Sequence, residues 1–491
     1  MKIQKKMMSN NLEFTPTIGI ECHVQLNTQT KLFSGASNDA RFAEPNTLVN
    51  HIDFGLPGAL PVFNREALNL AIKAALALKT RPQLFSTFDR KHYFYPDLPM
   101  GYQITQYDQP IIIGGKVDFK LEGKNFTVRI TRAHLEADAG KSMHPAGKDY
   151  SLVDLNRAGT PLLEIVSEPD MHSAKEAKAY AQELYLLMRY AGVTAGDLYH
   201  GNMRFDVNVS VSNNRHLGVR SETKNLNSFR SVEKAVNYEI KRQIDLIKSG
   251  KIVVQETRGW DEAKQKTLLQ RRKENADDYR YMPDPDLPPL VIDDKYVNAI
   301  ADNMPYSPDF WRAKLKKLHL SDDHIDVLIN ANIDFMHAKY LELIMEFDEQ
   351  GLNATRLANW LVNIDIPLTK ENKTKIGSNR NRLYKEVNDL NSKGTLSSTN
   401  LKQLITVCLS MVEPPKDIAV FAEKEGLIQS SDSTELNKII EEVIRHNPKA
   451  VSDVRSGEQK AIGYLIGQVM QLSKGQANPE LSKRIIEEKL K

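Results

Sequence analysis

Residues 18–26 read IGIECHVQL. As a strand, they put Ile18, Ile20, Cys22, Val24 and Leu26 on one face and Gly19, Glu21, His23 and Gln25 on the other. Residues 203–211 behave likewise. Met203, Phe205, Val207, Val209 and Val211 face a core, while Arg204, Asp206, Asn208 and Ser210 face away. Two shorter segments put Glu136 and Asp138 on one side of 135–138, and Arg220, Glu222 and Lys224 together in 219–224. Alternation with a single apolar face predicts a sheet covered on one side only. Its open face would carry Glu21, His23, Glu136, Asp206 and Glu222, with Arg204, Arg220 and Lys224 among them. Carboxylate oxygens and one imidazole suit a hard divalent cation that also holds phosphate oxygens, and the basic groups would meet the phosphates. One such strand is ordinarily a solvated face. Four with matching polar sets are the inventory of a site for Mg-nucleotide and a carboxylate substrate.

The elements that must position these groups divide the chain. Residues 13–304 are rich in strands and in irregular polar motifs, and they hold two helices. Ser173 followed by Glu176 forms a capping box that starts a helix over 174–190, which Gly192 closes. Val232, Ala235, Val236, Ile240, Ile244 and Ile247 mark a second helix over 232–248, stopped by Gly250. The prolines at 283–289, Pro305 and Pro308 mark a change to helical periodicity. Amphipathic helices fill 305–410. After Pro414 and Pro415 a small helical tail, 411–491, carries helices over 434–446, 461–470 and 480–490. The fold class read from this order is α+β, an antiparallel-sheet domain followed by an all-α domain and a helical tail domain. Residues 1–12 read as a loose tail in which Met7 and Met8 are candidate starts.

The whole chain has 491 residues, enough for about two to four domains. Its net charge of +3 argues against wholesale coating of nucleic acid and leaves room for a local basic face. Cys22 and Cys408 are the only cysteines, and no CxxC pair exists, which disfavours a disulfide framework or a structural zinc site and fits a reducing, cytoplasmic compartment. No apolar run approaches the ~20 residues of a membrane span.

Several motifs carry less. Residues 139–142, AGKS, resemble the end of a P-loop, but Leu135 stands where its first glycine is required. His134 and His144 flank Glu136 without forming HExxH. Cys22 falls on the apolar face and reads as core. No G-x-S-x-G elbow supports serine acyl transfer. Asp89, Arg90 and Lys91 would ordinarily be a solvated turn, but His92, Tyr93, Phe94 and Tyr95 follow and argue for packing.

The motifs GIECHVQL (19–26), DRKHYFYPDLPMGYQITQ (89–106), LEADAGKSMH (135–144), DLNRAGTPLLEIVSEPD (154–170), MRFDVNVSV (203–211) and DYRYMPDPDLPPL (278–290) occur in order. Together they resemble the GatB family, the B-type subunits of aspartyl/glutamyl-tRNA amidotransferases, from Ile18 to the C-terminus. The resemblance implies a glutamine synthetase-like cradle domain. It implies ATP-dependent phosphorylation of the side-chain carboxylate of Glu or Asp mischarged on tRNA, followed by displacement of phosphate by ammonia. It implies ATP and Mg2+, with the metal on Glu21, His23, Glu136 and Glu222, and Arg204, Asp206, Arg220 and Lys224 towards the nucleotide. Lys91 falls where the family's ammonia path opens. The implied partners are an amidase-like glutaminase subunit of A type and a small subunit of C type, forming a heterotrimer, together with mischarged tRNA. The tail would grip tRNA through Lys449, Arg455, Lys460, Lys474, Lys483 and Arg484.

Two departures stand out. Ala137 replaces a family glutamate, on the apolar side by strand parity. Tyr199 and His200 stand before Gly201, where the family carries an acidic residue. The alternative reading is therefore a divergent, kinase-impaired paralogue acting as a tRNA-binding scaffold. A stand-alone carboxylate–amine ligase is a third, against which the helical and tail domains argue.

Overall fold

A computed structural model describes residues 14–490 apart from 215, 273–275, 375–379, 429–432, 457, 474–476 and 478. The N-terminal stretch 1–12 and Lys474 lie outside the described residues. The chain forms two compact units, one ending at Pro308 and the other beginning at Asp309.

The first unit is built on a nine-stranded sheet. Across it run Lys266–Arg272, Glu256–Asp261, Ser221–Leu226, Met203–Ser212, Thr15–Gln25, Pro161–Ser167, Lys124–Ala137 and Ile112–Ile113, with Lys116–Leu121 also paired to Lys124–Ala137. Pairing is antiparallel except between Ser221–Leu226 and Glu256–Asp261, which run parallel. The link between these two contains the helix Phe229–Lys248, as a parallel crossover requires. The sheet is therefore antiparallel-rich and not wholly antiparallel.

Strand parity sets the two faces. Ile18, Ile20, Cys22 and Val24 are buried, as are Met203, Phe205, Val207 and Val209. They share one core with Ala177, Ala181 and Leu184 of helix Ala174–Tyr190 and with Val232, Ala235 and Val236 of helix Phe229–Lys248. The predicted cap forms in part: Ser173 accepts from the Glu176 amide, while Glu176 reaches back one residue beyond the cap and accepts from the His172 amide at 2.8 Å. Gly192 follows the helix at φ +70°, a left-handed conformation open to glycine at little cost. Cys22 is a buried free thiol, a core residue as its parity implies.

Residues 89–92 form a strand between Tyr102–Thr105 and Met282–Pro283 in a small separate sheet. Asp89 is buried there because its carboxylate accepts from the amides of Tyr107 and Asp108 at 2.9 and 3.0 Å. Residues 141–143 are a strand, so AGKS forms no phosphate loop.

The second unit is helical. Asp365, at the end of the π-helical turn Leu361–Asp365, is fully buried there, together with Arg380. Arg382 donates to the carbonyls of Pro414 and Pro415, and Asn400 to that of Leu427, tying residues 414–427 to the helices before them. A separate small core, including Leu436, Ile440, Val443, Leu465, Val469 and Ile486, organises the last helices. Among the described residues no helix is long and apolar enough to cross a membrane.

Candidate active site

The polar face of the sheet forms the floor of a cleft of about 590 Å³. Glu21, His23, Glu136, Glu222 and Lys91 all line it, and so do Arg204, Asp206, Arg220 and Lys224. The residues expected at the metal, the nucleotide and the ammonia entry therefore all line one cleft. Cross-strand register explains why. His23 pairs with Glu164 on one side and Arg204 on the other, and Glu164 pairs in turn with His134. One row across the sheet thus reads His134, Glu164, His23, Arg204. Glu21 pairs with Asp206, and Glu222 pairs with both Asn208 and Thr257.

Within the cleft the acids fall into two groups. In the first, ligand atoms of His23, Glu136 and Glu164 lie within 4.8 Å of one another. His23 Nε2 is 3.3 Å from Glu164 and 4.0 Å from Glu136, and His134 Nε2 is 3.7 Å from Glu136 and 3.8 Å from Glu164. Burial works against charge on His23, but its hydrogen bond and attraction to Glu164 prevail and hold its pKa up at about 9. Burial likewise opposes ionisation of Glu164, yet His134 and His23 hold that carboxyl well below the usual range.

The second group is Glu21, Asp206 and Glu222 around Lys224. The Lys224 ammonium lies 3.0 Å from Asp206 and 3.4 Å from Glu222. Asn208 donates to Glu21 at 2.8 Å, and Thr257 donates to Glu222 at 2.9 Å. Burial first, and then the charges of Glu164, Glu222 and Asp206, raise the Glu21 pKa against the pull of Lys224. Burial would deprotonate Lys224, but Asp206 and Glu222 overcome it and keep it a cation. Glu21 and Glu222 share the floor with His23 and Glu136 while standing outside the tight three-residue group.

An aromatic wall faces these groups. Tyr107 and Tyr281 stack at 3.9 Å, with the Arg132 guanidinium 5.6 Å from the Tyr107 ring. The Lys91 ammonium lies 5.0 Å from the Tyr279 ring. Burial would lower its pKa, but Glu136 and other nearby groups raise it, so Lys91 is a fixed cation at neutral pH.

Glu164, Tyr107, Tyr279 and Tyr281 were not assigned from sequence. Glu164 had a signal, a lone acid in the apolar strand PLLEIVS. Tyr107 had none, because it lies outside the strands, while Tyr279 and Tyr281 stand in the family-like 278–290 motif, to which local sequence reasoning gave no role. Ala137 ends its strand and packs against the core as parity requires. Tyr199 is 90% exposed and lies outside the cleft lining, and His200 bonds Asp197 at 2.7 Å. The departure from the family pattern thus leaves the cleft floor untouched.

The family described as the GatB/GatE catalytic domain matches residues 16–298, and a second, the GatB domain, matches residues 342–490. A protein of Persephonella marina, named as the B-type subunit of an aspartyl/glutamyl-tRNA(Asn/Gln) amidotransferase, is 43% identical over 485 residues, 98% of this chain and 100% of its own length. Its namesake in Coxiella burnetii is 43% identical over 486 residues, again 98% and 100%. That of Caldicellulosiruptor saccharolyticus is 40% identical over 488 residues, 98% of this chain and 99% of its own. With matches of this extent, the chain belongs to the GatB family, the B-type subunits of tRNA-dependent amidotransferases, and is a component of a ligase-type enzyme.

Proposed function

We propose that this chain carries the kinase and amidation site of the amidotransferase on a glutamine synthetase-like cradle. The observation that carries the reading is the partly buried group His23, Glu136 and Glu164 beside a second, lysine-bridged group of acids in one cleft. The side-chain carboxylate of Glu or Asp esterified to tRNA attacks the γ-phosphorus of ATP. The γ-phosphorus–oxygen bond to ADP breaks and an acyl phosphate forms. Ammonia then adds to the acyl carbon, phosphate leaves with its oxygen, and one proton is lost, giving Gln-tRNA or Asn-tRNA.

The donor set of two carboxylates and an imidazole fits a divalent cation such as Mg2+, and Glu21 and Glu222 stand next to it. When bound, that ion supplies charge stabilisation to transferring phosphate oxygens. The chain's own groups do the rest. Lys224 and Arg220 face phosphate charge, Asp206 fixes Lys224, and Lys91 holds a positive charge against Glu136. Lys91 is too firmly protonated to act as a base, so its role is that of a charge at the ammonia entry.

Without a serine elbow in this chain, glutamine hydrolysis falls to the amidase-like glutaminase, accompanied by the small C-type protein, in the cytoplasm. The helical region 305–410 and the tail 411–491, which holds the separate core beginning at Leu436, are proposed as two further modules, the latter binding tRNA. The test is tRNA-dependent ATP hydrolysis by the assembled enzyme carrying Glu164→Gln or Glu222→Gln. Each should fall about 10²-fold or more, with glutaminase activity retained. Wild-type rates in both variants would overturn the assignment and move the search to Asp138 and Asp206.

A further inference from the structure

Arg204 is held in an unusual way. Its Nη2 donates to Asp138 Oδ2 at 3.2 Å, and Arg157 donates to the same oxygen. Asp138 Oδ1 accepts from the Ala139 amide at 3.0 Å, and the Asp138 backbone bonds Thr160 and Gly159. The anchor is therefore fixed, and its carboxyl is only 12% exposed. Arg204 Nε, in contrast, is buried with no partner among the described residues. Buried donors are rarely left unpaired, because each lost bond leaves the full desolvation penalty. The rest of the side chain lines the cleft and is one-third exposed, so the guanidinium can meet a ligand there.

We propose that Arg204 grips the acceptor side-chain carboxylate of the aminoacyl-tRNA, and that Asp138 is the residue that positions it. The inference rests on the phosphoryl-transfer reading above. Three observations favour a carboxylate over a phosphate. Arg204 stands directly across from His23, beside the three-residue acid group where the acceptor oxygen must meet the nucleotide. Its charge is already shared with Asp138, which suits a single negative charge. The strand beyond carries Lys224, with Arg220 just before it, and supplies cations for a polyphosphate. A guanidinium offers several coplanar N–H donors to a carboxylate, whereas a carboxamide turns an N–H towards them. Arg204 thus separates substrate from product.

The test measures equilibrium binding of Glu-tRNA, Gln-tRNA, uncharged tRNA and ATP to the assembled enzyme. Wild type should prefer Glu-tRNA to Gln-tRNA by about tenfold or more. Arg204→Met should erase that preference while affinities for uncharged tRNA and ATP stay within about twofold of wild type. Arg204→Lys keeps the charge without the planar donor array and should retain part of the preference. Asp138→Asn should weaken it with Arg204 in place. Unchanged binding of uncharged tRNA certifies the fold of each variant. A preference that survives Arg204→Met, with ATP affinity lowered, would make Arg204 a phosphate ligand and overturn the proposal. So would the lack of any preference in wild type. Because these readouts need no turnover, they separate this inference from the failure of the kinase assignment, which Glu164→Gln and Glu222→Gln report.

Discussion

The helical unit and the cleft both bury charge, and they do so in opposite ways. Asp365 is fully buried, and both its oxygens are shared among protein donors. Arg380 Nε bonds it at 2.9 Å, Tyr384 at 2.8 Å, Thr369 at 2.9 Å and Tyr340 at 3.0 Å. The carboxylate is completed by its own fold. In the cleft, Glu21, Asp206 and Glu222 crowd around Lys224, and burial first, then the neighbouring carboxylates, raise the Glu21 pKa. A network closed on itself marks architecture. Buried acids left in mutual repulsion mark a place that waits for a positive or reacting partner.

The same kind of substitution should therefore have opposite signs in the two regions. Asp365→Ala removes the carboxylate that neutralises the buried Arg380 guanidinium and should destabilise the helical unit by about 3–5 kcal/mol. Glu21→Gln removes a repelled charge. It should stabilise the metal-free first unit by about 1 kcal/mol while abolishing ATP hydrolysis. Denaturant unfolding of each variant checks both signs. A Glu21→Gln protein less stable than wild type would break the comparison.

Protonation sharpens it further. The folded pKa of His23 is about 9, above the 6.5 of the free side chain. A raised histidine pKa means that folding binds the proton more tightly. Its stabilisation is complete below pH 6.5 and is lost as pH rises through 9. Metal-free protein in chelator should lose about 2–3 kcal/mol across that window. His23→Gln should flatten the slope. Parallel pH profiles for the two proteins would show that His23 is not the group responsible.

Much of this contrast was legible in the sequence. Period two in IGIECHVQL and MRFDVNVSV separates core from site without any structure, because a strand alternates its faces. Ser173 and Glu176 announce their helix for an equally local reason. What escaped is non-local. Glu164 gains meaning only from its register with His23 and His134. Thr257 reaches Glu222 only because a parallel strand follows a crossover helix. Tyr107 and Tyr281 meet from segments far apart in the chain. The tail is intermediate. Three of its helices, Ser433–His446, Gln459–Leu472 and Pro479–Leu490, are close to expectation, whereas Ile418–Lys424 and Pro448–Arg455 were not anticipated. The proline pair did not reveal that residues 414–427 pack on the helices before them.

The tail also carries both kinds of charge. Lys483 and Arg484 each lie 3.9 Å from a glutamate one helical turn on. Lys449 and Lys460 instead line a hollow of about 510 Å³ with Asn447, Tyr464, Asp453 and Glu458, and make no ion pair within 4 Å among the described residues. By the logic of the cleft, the unmatched pair should contact RNA. Lys449→Ala with Lys460→Ala should weaken tRNA binding about tenfold and reduce its salt dependence. Lys483→Ala with Arg484→Ala should cost about twofold or less. Equal losses from the two double variants would show that ion pairing does not select the contact residues.

The smallest effect is expected where the chain departs most visibly from its family. Tyr199 replaces an acidic residue, and a lost acid beside a kinase site would ordinarily foretell a slow enzyme. Its side chain is 90% exposed, however, and its ring lies 5.1 Å from that of His200, whose own partner is Asp197. The nearest link to the cleft runs through the backbone, from Gly201 to Asn202, whose side chain bonds Gln25 at 3.0 Å. No cleft carboxylate or cation depends on Tyr199. Restoring the acid with Tyr199→Glu should therefore change tRNA-dependent ATP hydrolysis by no more than about twofold, the range of an exposed substitution. A large gain in turnover would mean that this loop moves into the cleft when tRNA binds. The division between the exterior and the cleft would then have to be redrawn to include it.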